Sequence, residues 1–268
     1  YLAGLLRGDF GVSIYTRRPV AEDLAAYLPA TLELVFAAMT LAVAIGIPAG
    51  LAAAVWRNRW PDYLSRVVAL GSISMPRFFL GLLLQLFFAM WLGWLPLTGR
   101  FPITEDPPAL VTGFLTIDAL LARDLSAFWT AMKHLAMPAM AMSLSPLATI
   151  MRMMRASTLE VMQQDYVLTE RALGLPQRLI VLKYVSRNAL SATLTVIGLY
   201  FGWLLGGTVL VETVFDWPGL GLYATKAVVT QDFMPVIGVT LVIGTLFVLA
   251  NFVIDLLYGV INPKVRYE

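Results

Sequence analysis

The sequence predicts an all-α membrane protein with five spans and a long polar connection between the third and fourth. Composition is the first observation behind this reading. Of 268 residues, 59% are hydrophobic and 13% are charged, with a mean hydropathy of +0.77. Ordinary soluble domains carry about 25% charged residues, so lipid must solvate much of this surface. The second observation is a set of five apolar runs, each reaching the ~17–25 residues that a helix needs to cross the hydrocarbon. The third is the unequal sharing of Lys and Arg between alternate loops.

Residues 1–30 come first, as an extracytoplasmic segment. They are too polar for a signal peptide, since Arg17, Arg18, Glu22 and Asp23 follow no cleavable apolar core. A loop and a short amphipathic helix at a membrane surface are expected. The spans follow at Thr31–Val55, within Leu64–Trp94, and at Leu135–Met151, Asn188–Val211 and Phe233–Ile254, giving a transmembrane domain over 31–258 and a tail over 259–268. The first span holds one charge, Glu33, and the second is uncharged from Phe78 onward. Pro48, Pro76, Pro138, Pro146 and Pro235 lie in or beside the spans. Prolines at membrane depth are tolerated where neighbouring helices satisfy the freed carbonyls, which predicts kinked helices around a cavity.

One set of loops holds eleven basic residues: Arg57, Arg59, Arg66, Arg152, Arg155, Arg171, Arg178, Lys183, Arg187, Lys264 and Arg266. The other holds seven: Arg7, Arg17, Arg18, Arg100, Arg123, Lys133 and Lys226. The richer set belongs inside, which puts the C-terminus in the cytoplasm. Five spans then place Tyr1 outside, and the expectation is an earlier transmembrane helix ahead of it. The net charge of +2 gives no case for nucleic acid. With no cysteine and a single histidine, His134, disulfides, thiolate sites and histidine metal centres are excluded. His134 reads as an interfacial residue.

The polar connection, 157–190, carries seven charges between Glu160 and Arg187, on the cytoplasmic side. Leu159–Leu173 suits one helix, with Gly174 at the left-handed position that ends it. Pro176 suits the first turn of the next, and Leu175, Leu179, Leu182 and Val185 give that helix an apolar stripe. It is either a helix pair packed on its own bundle or a seat for a partner.

The order Thr169, Ala172, Gly174, Leu175, then Arg187-Asn188-Ala189-Leu190, resembles the EAA loop of ABC importer permeases. More narrowly, the chain is similar to the dipeptide, oligopeptide and nickel permease family over essentially its whole length. Gly8–Ser13, Arg18–Val20, the L-P-A-T-L-E-L run at Leu28–Leu34, E-T-V-F-D-W-P-G-L-G at Glu212–Gly221 and Asp255–Arg266 carry the likeness in order. The resemblance implies a type I ABC importer permease fold. It also implies that Thr169, Glu170, Ala172, Leu173, Gly174 and Leu175 form a coupling segment that docks in a cleft of an ATPase subunit. The family commonly has a small residue in place of Glu170, and its first transmembrane helix is absent here. Implied partners are a second homologous permease, two ATP-binding subunits, an extracytoplasmic substrate-binding protein and membrane lipid. The chain has no G-x-x-x-x-G-K-[ST] run, so ATP and Mg belong to the ATPase subunits and this chain binds no cofactor.

Gly198, Gly202 and Gly206 form a small-residue row on the fourth span, either ordinary helix packing or a seam with the partner permease along the pathway. Arg77, within the second span, pairs either with a substrate carboxylate in passage or with an acidic side chain of this or the partner subunit. Met137, Met140, Met142, Met151, Met153 and Met154 give either packing or an adaptable lining. The outer loops Leu97–Lys133 and Glu212–Asp232, with Asp216, Trp217, Pro218 and Gly219, either receive the binding protein or form an interfacial aromatic belt. The expected function is the translocation subunit of an ATP-driven importer in a bacterial inner membrane. Dipeptides, longer peptides, glutathione-like molecules and nickel complexes are all carried by chains resembling this one. The alternative is a self-contained secondary transporter or channel, which would need coupling carboxylates that spans three to five lack. An intramembrane enzyme would need a paired Asp or Ser-His set, and none is present.

Overall fold

The computed structural model describes residues 8–261. It is built from α1 (Val20–Val55), α2 (Trp60–Ser74), α3 (Arg77–Trp91), α4 (Leu115–Leu121), α5 (Leu125–Val161), α6 (Asp165–Ala172), α7 (Gln177–Gly206), α8 (Val209–Val214), α9 (Leu220–Val229) and α10 (Phe233–Ile261). Gln85–Trp91 of α3 and Ile180–Val185 of α7 are wound as π-helix. Among the described residues, four helices are long and apolar enough to cross a membrane, namely α1, α5, α7 and the Phe233–Ile254 part of α10. The α2 and α3 segments pass as a broken pair, giving up to five spans. The all-α membrane class is therefore as the composition dictated. Residues 262–268, with Lys264, Arg266 and most of the expected tail, lie outside the described residues, as does Arg7.

Several boundaries differ from the sequence expectation, each for a local reason. The first helix begins at Val20, inside the segment expected to be loop and surface helix. Glu22 and Asp23 fall in its first turn, where a helix N-terminus favours negative charge. The second apolar stretch breaks where Met75 is extended, at φ −112° and ψ 119°, because Pro76 disfavours helical geometry in the residue before it. Arg77 therefore opens α3 instead of sitting midway along a continuous span. The third span extends well beyond Leu135–Met151 at both ends, capped where Asp124 Oδ1 accepts from Ala127 N at 2.9 Å. The fourth ends at Gly206 instead of Val211, and Gly207 and Thr208 separate it from α8.

The chain divides into two compact units. One takes in the described residues up to Ala38, Arg77–Met142 and Trp203–Val248. Its centre is a buried cluster of Val20, Leu24, Leu220, Tyr223 and Val239, with Tyr27 stacked on Tyr223 at 4.8 Å. Tyr223 Oη donates to Asp23 Oδ2 at 2.9 Å, and Ser13 Oγ and Ile14 N donate to Asp232 Oδ2 at 2.7 Å each. The first bond ties the opening turn of α1 to α9, and the other two pin the residues before α1 to the turn between α9 and α10.

Two of the runs singled out in the sequence meet in this unit. Thr31 Oγ1 donates to Glu212 Oε1 and accepts from Leu220 N, both at 2.8 Å. Glu212 Oε2 accepts from Leu222 N at 3.0 Å, so a buried carboxylate closes the N-terminus of α9. Burial pushes the Glu212 carboxyl up, against the pull of the Thr31 and Leu222 hydrogen bonds. Trp217 Nε1 donates to the Ala30 carbonyl at 2.8 Å. Gly219 must be glycine here, because a Cβ would lie 2.5 Å from both Glu212 Oε2 and Thr31 Oγ1. Glu33, also buried, pairs with Arg100 and accepts from Thr116 N and Oγ1 at 2.8 and 2.7 Å. Burial alone would raise the Asp118 carboxyl of α4, but hydrogen bonds from Thr112 and Gly113 outweigh it and hold it low.

The second unit takes in Met39–Pro76, Ser143–Gly202 and the described residues from Leu249 on. Here α1 crosses α5 at close range. A Cβ on Gly46 would meet Ile150 Cγ2 at 3.0 Å, and one on Gly50 would meet the Met151 carbonyl at 2.5 Å. Asp62, fully buried, binds Arg155 Nε at 2.8 Å and Arg66 Nη2 at 2.9 Å, and caps Asn58 N at 3.0 Å.

Four variants test this packing by thermal unfolding in detergent. Gly50→Val should cost about 3 kcal/mol or more, since the obstacle is backbone, while Gly71→Ala in open space should gain up to about 1 kcal/mol. Glu212→Ala should cost about 2–4 kcal/mol by orphaning buried donors, and Glu212→Gln should cost less because it keeps the shape and an acceptor.

Candidate functional site

The polar connection folds as a ledge in the second unit. Helix α5 ends at Val161 in i→i+3 bonds, Gln163 N to Glu160 O and Gln164 N to Val161 O, both at 3.1 Å. The single helix expected over Leu159–Leu173 is thus two, and α6 starts afresh at Asp165. One side chain of α6, Val167, is buried, and it packs with Ile180 and Val185 beside Val161, Met162 and Leu175. Asn188 Nδ2 donates to Tyr166 Oη at 2.8 Å, tying α7 to the outer face of α6.

Gly174 ends α6 in the left-handed conformation, at φ +78°. Gly174 N donates to Arg171 O at 3.0 Å and Leu175 N to Glu170 O at 3.3 Å. That paired pattern is a Schellman cap, which satisfies the last carbonyls of a short helix and turns the chain sharply. Leu175 then folds back onto the Val167 cluster. Pro176 is extended and precedes α7 as its N-cap instead of sitting in its first turn.

The apolar stripe expected from Leu175, Leu179, Leu182 and Val185 is only partly the buried one. Leu179 and Leu182 are exposed, while Ile180, Val181 and Val185 are buried. The cause is the π-winding of Ile180–Val185, whose i→i+5 bonds put residues five apart on one face, an arrangement a 3.6-residue period does not anticipate.

Of the coupling residues carried over from the resemblance, Thr169, Ala172, Leu173 and Gly174 are exposed, and Glu170 and Leu175 are half-buried. Thr169 Oγ1 bonds back to Asp165 O at 3.0 Å. Leu168 is 52% exposed, Leu173 72% and Leu182 67%. Helix α6 buries one valine while Leu168, Leu173 and Leu182 stay exposed beside it, an exposed apolar composition that suits a contact surface. Behind it runs a groove of about 500 Å³, lined by Pro48, Val55, Trp56, Arg178, Val181 and Leu182 among others.

The remaining predicted residues scatter. Gly198 sits against α10, where a Cβ would lie 2.4 Å from Ile254 Cγ2. Gly202 is buried, and Gly206 has open space around it. The guanidinium of Arg77 lies where a Cβ on Gly207 would be 2.7 Å from Nη1, at the break between α7 and α8. In the connection between α8 and α9, Asp216 is exposed in a left-handed conformation, Pro218 is half-buried, and Trp217 and Gly219 are buried against α1. Met137, Met142, Met151 and Met154 are core residues, and His134 is buried along α5. Sequence reasoning passed over Glu212, Thr31, Asp62 and the Gly46–Gly50 pair. The glycine pair carries its own signal, the same four-residue spacing noted on the fourth span. Asp62 offered none, because its partner Arg155 is 93 residues away.

Residues 46–267 match the family described as binding-protein-dependent transport system inner membrane component. The chain is 46% identical to the probable D,D-dipeptide transport system permease protein DdpB of Escherichia coli (strain K12), over 99% of this chain and 78% of that protein. It is 42% identical to the dipeptide transport system permease protein DppB of Alkalihalophilus pseudofirmus, over all of this chain and 80% of that one. It is 39% identical to the glutathione transport system permease protein GsiC of Escherichia coli (strain K12), over 100% and 78%. With the all-α architecture, the apolar spans and the capped ledge in place, the chain belongs to the family of inner-membrane components of binding-protein-dependent transport systems.

Proposed function

We propose that the chain is the translocation subunit of an ATP-driven ABC importer for dipeptides, oligopeptides or a related small solute, and that the α6–Gly174–Leu175 ledge couples it to an ATPase subunit. The observation that carries the coupling is the ledge itself, a short helix rigidly capped at Gly174 and offering exposed Leu168 and Leu173. Relatives named for dipeptide and glutathione transport support the substrate class. The chain works with a second homologous permease, two ATP-binding subunits that hold ATP and Mg, and an extracytoplasmic binding protein that reaches the outer loop around Asp216. Its C-terminus faces the cytoplasm.

Closure of the ATPase subunits moves the seated ledges, and packed helices transmit that motion as alternating access. Val167 and the Asn188–Tyr166 bond tie the ledge to α7, so a push on α6 reaches a membrane-crossing helix without a flexible hinge between them. In the pathway, Arg77 at the α7–α8 break meets the substrate carboxylate, and of the small-residue row the exposed Gly206 is the one that lies at the seam with the partner permease, Gly198 being taken by α10 of this chain.

Gly174→Val should abolish substrate-stimulated ATPase activity in the assembled complex, while Gly174→Asn, which tolerates the left-handed region, should keep most of it. A Cβ at Gly174 meets nothing within 4 Å, so any loss comes from the backbone and not from a clash; full activity in the Val variant overturns the coupling reading. Leu173→Asp should cut co-purification of the ATPase subunit at least tenfold, with permease yield unchanged. Arg77→Gln should lower uptake of an anionic peptide more than that of a carboxyl-amidated one, and equal effects on the two would refute the pathway role.

A further inference from the structure

A second cavity in the same unit has different chemistry from the ledge. It holds about 390 Å³ between α1, α2 and α5, and is lined by Ala49 and Ala52, by Leu64 and Val68, and by Leu144 and Leu147. Ser65 is the polar residue in its wall, and its hydroxyl is turned back to Asp62 O at 2.8 Å. A peptide or any charged solute would find no partner inside, whereas a hydrocarbon chain loses nothing by entering.

The mouth of this cavity is unlike its interior. Trp60 and Pro61 edge it, and the turn just before them carries Arg57 and Arg59, both exposed. Trp56, Trp60 and Tyr63 are exposed in the same eleven-residue stretch, as is Arg66, and such a mixture of aromatic and basic groups is the composition enriched at the level of lipid headgroups. The turn is not loose, since Asn58 N is capped by Asp62 Oδ2 at 3.0 Å, and Asp62 is anchored in turn by Arg155. Arg57, Arg59, Arg66 and Arg155 against the single carboxylate of Asp62 leave a local charge of 4 − 1 = +3.

We infer that this cleft is a binding site for an anionic phospholipid, one acyl chain lying between α2 and α5 and the phosphate resting on Arg57 and Arg59. The pairing of an apolar slot with a fixed basic mouth selects an anionic headgroup over a zwitterionic one, because each basic residue near the surface adds attraction for negative lipid. The site depends on neither the transported substrate nor the side of the membrane that the turn faces.

The test uses the assembled transporter in detergent, titrated separately with phosphatidylglycerol and phosphatidylethanolamine, with bound lipid read by native mass spectrometry. Phosphatidylglycerol should be retained preferentially, and the Arg57→Gln/Arg59→Gln double variant should weaken it on the order of 30-fold while leaving phosphatidylethanolamine unchanged. Phosphatidylglycerol with a diazirine in its acyl chain should label peptides spanning 60–68 and 144–151 in the unmodified protein, and Ala49→Leu should remove that labelling by filling the slot. Equal retention of the two lipids, or labelling confined to other segments, overturns the site. Because the chain has no cysteine of its own, a cross-linker on Leu64→Cys reports the competing occupant. Efficient capture of the partner permease there would also overturn the proposal.

Discussion

Inside a bilayer no solvent is available to a stray charge or an unpaired backbone group, and this molecule is arranged around that constraint. Its buried carboxylates are therefore the places where its parts are joined. Glu212 takes Thr31 of α1 on one oxygen and the first-turn N–H of Leu222 in α9 on the other. Glu33 gathers Arg100 and Thr116, and Asp62 gathers Arg66 and Arg155. Each is costly to strand and stable when satisfied, so each ties segments far apart in sequence to one geometry. The same rule explains Gln85, whose Nε2 donates to the carbonyls of Leu97 and Val214 at 3.0 Å each, next to π-wound backbone.

The ledge obeys a different logic because it meets water. Its helix α6 is polar, buries a single valine and leaves Tyr166 and Leu168 exposed. What makes it firm is a helix cap and two ties: the Schellman pair at Gly174 and Leu175, the packing of Val167 on Ile180 and Val185, and the Asn188–Tyr166 bond. A short element held this way can be gripped and moved without unravelling, which a plain connector could not do. The Arg57–Arg59 turn is fixed by similar means, through the cap on Asn58, and its basic side chains are exposed.

Much of the fold was legible in advance where a signal is local. Hydropathy found the spans because a helix in lipid must be apolar over its whole length, and Gly174 was legible because a left-handed helix end favours glycine. Boundaries were harder. Charges at Glu22, Asp23 and Arg152 looked like span ends, yet α1 and α5 run through them, since a helix can continue past the hydrocarbon. The stripe on α7 was misassigned at Leu179 and Leu182 because π-winding changes which residues share a face.

The sequence by itself determined that this is a helical membrane protein, that it carries a polar ledge ending at a glycine, and that it resembles importer permeases. These follow from composition, periodicity and short motifs, which are properties of neighbouring residues. Tertiary structure alone decided that the Leu28–Leu34 and Glu212–Gly221 runs are two halves of one junction, and that Trp217 is buried in it. It alone brought Asp62 to Arg155 and opened an apolar cleft beside a basic turn. Those facts depend on residues brought together from distant parts of the chain, where the need to satisfy a buried charge, and not local propensity, chooses the partner.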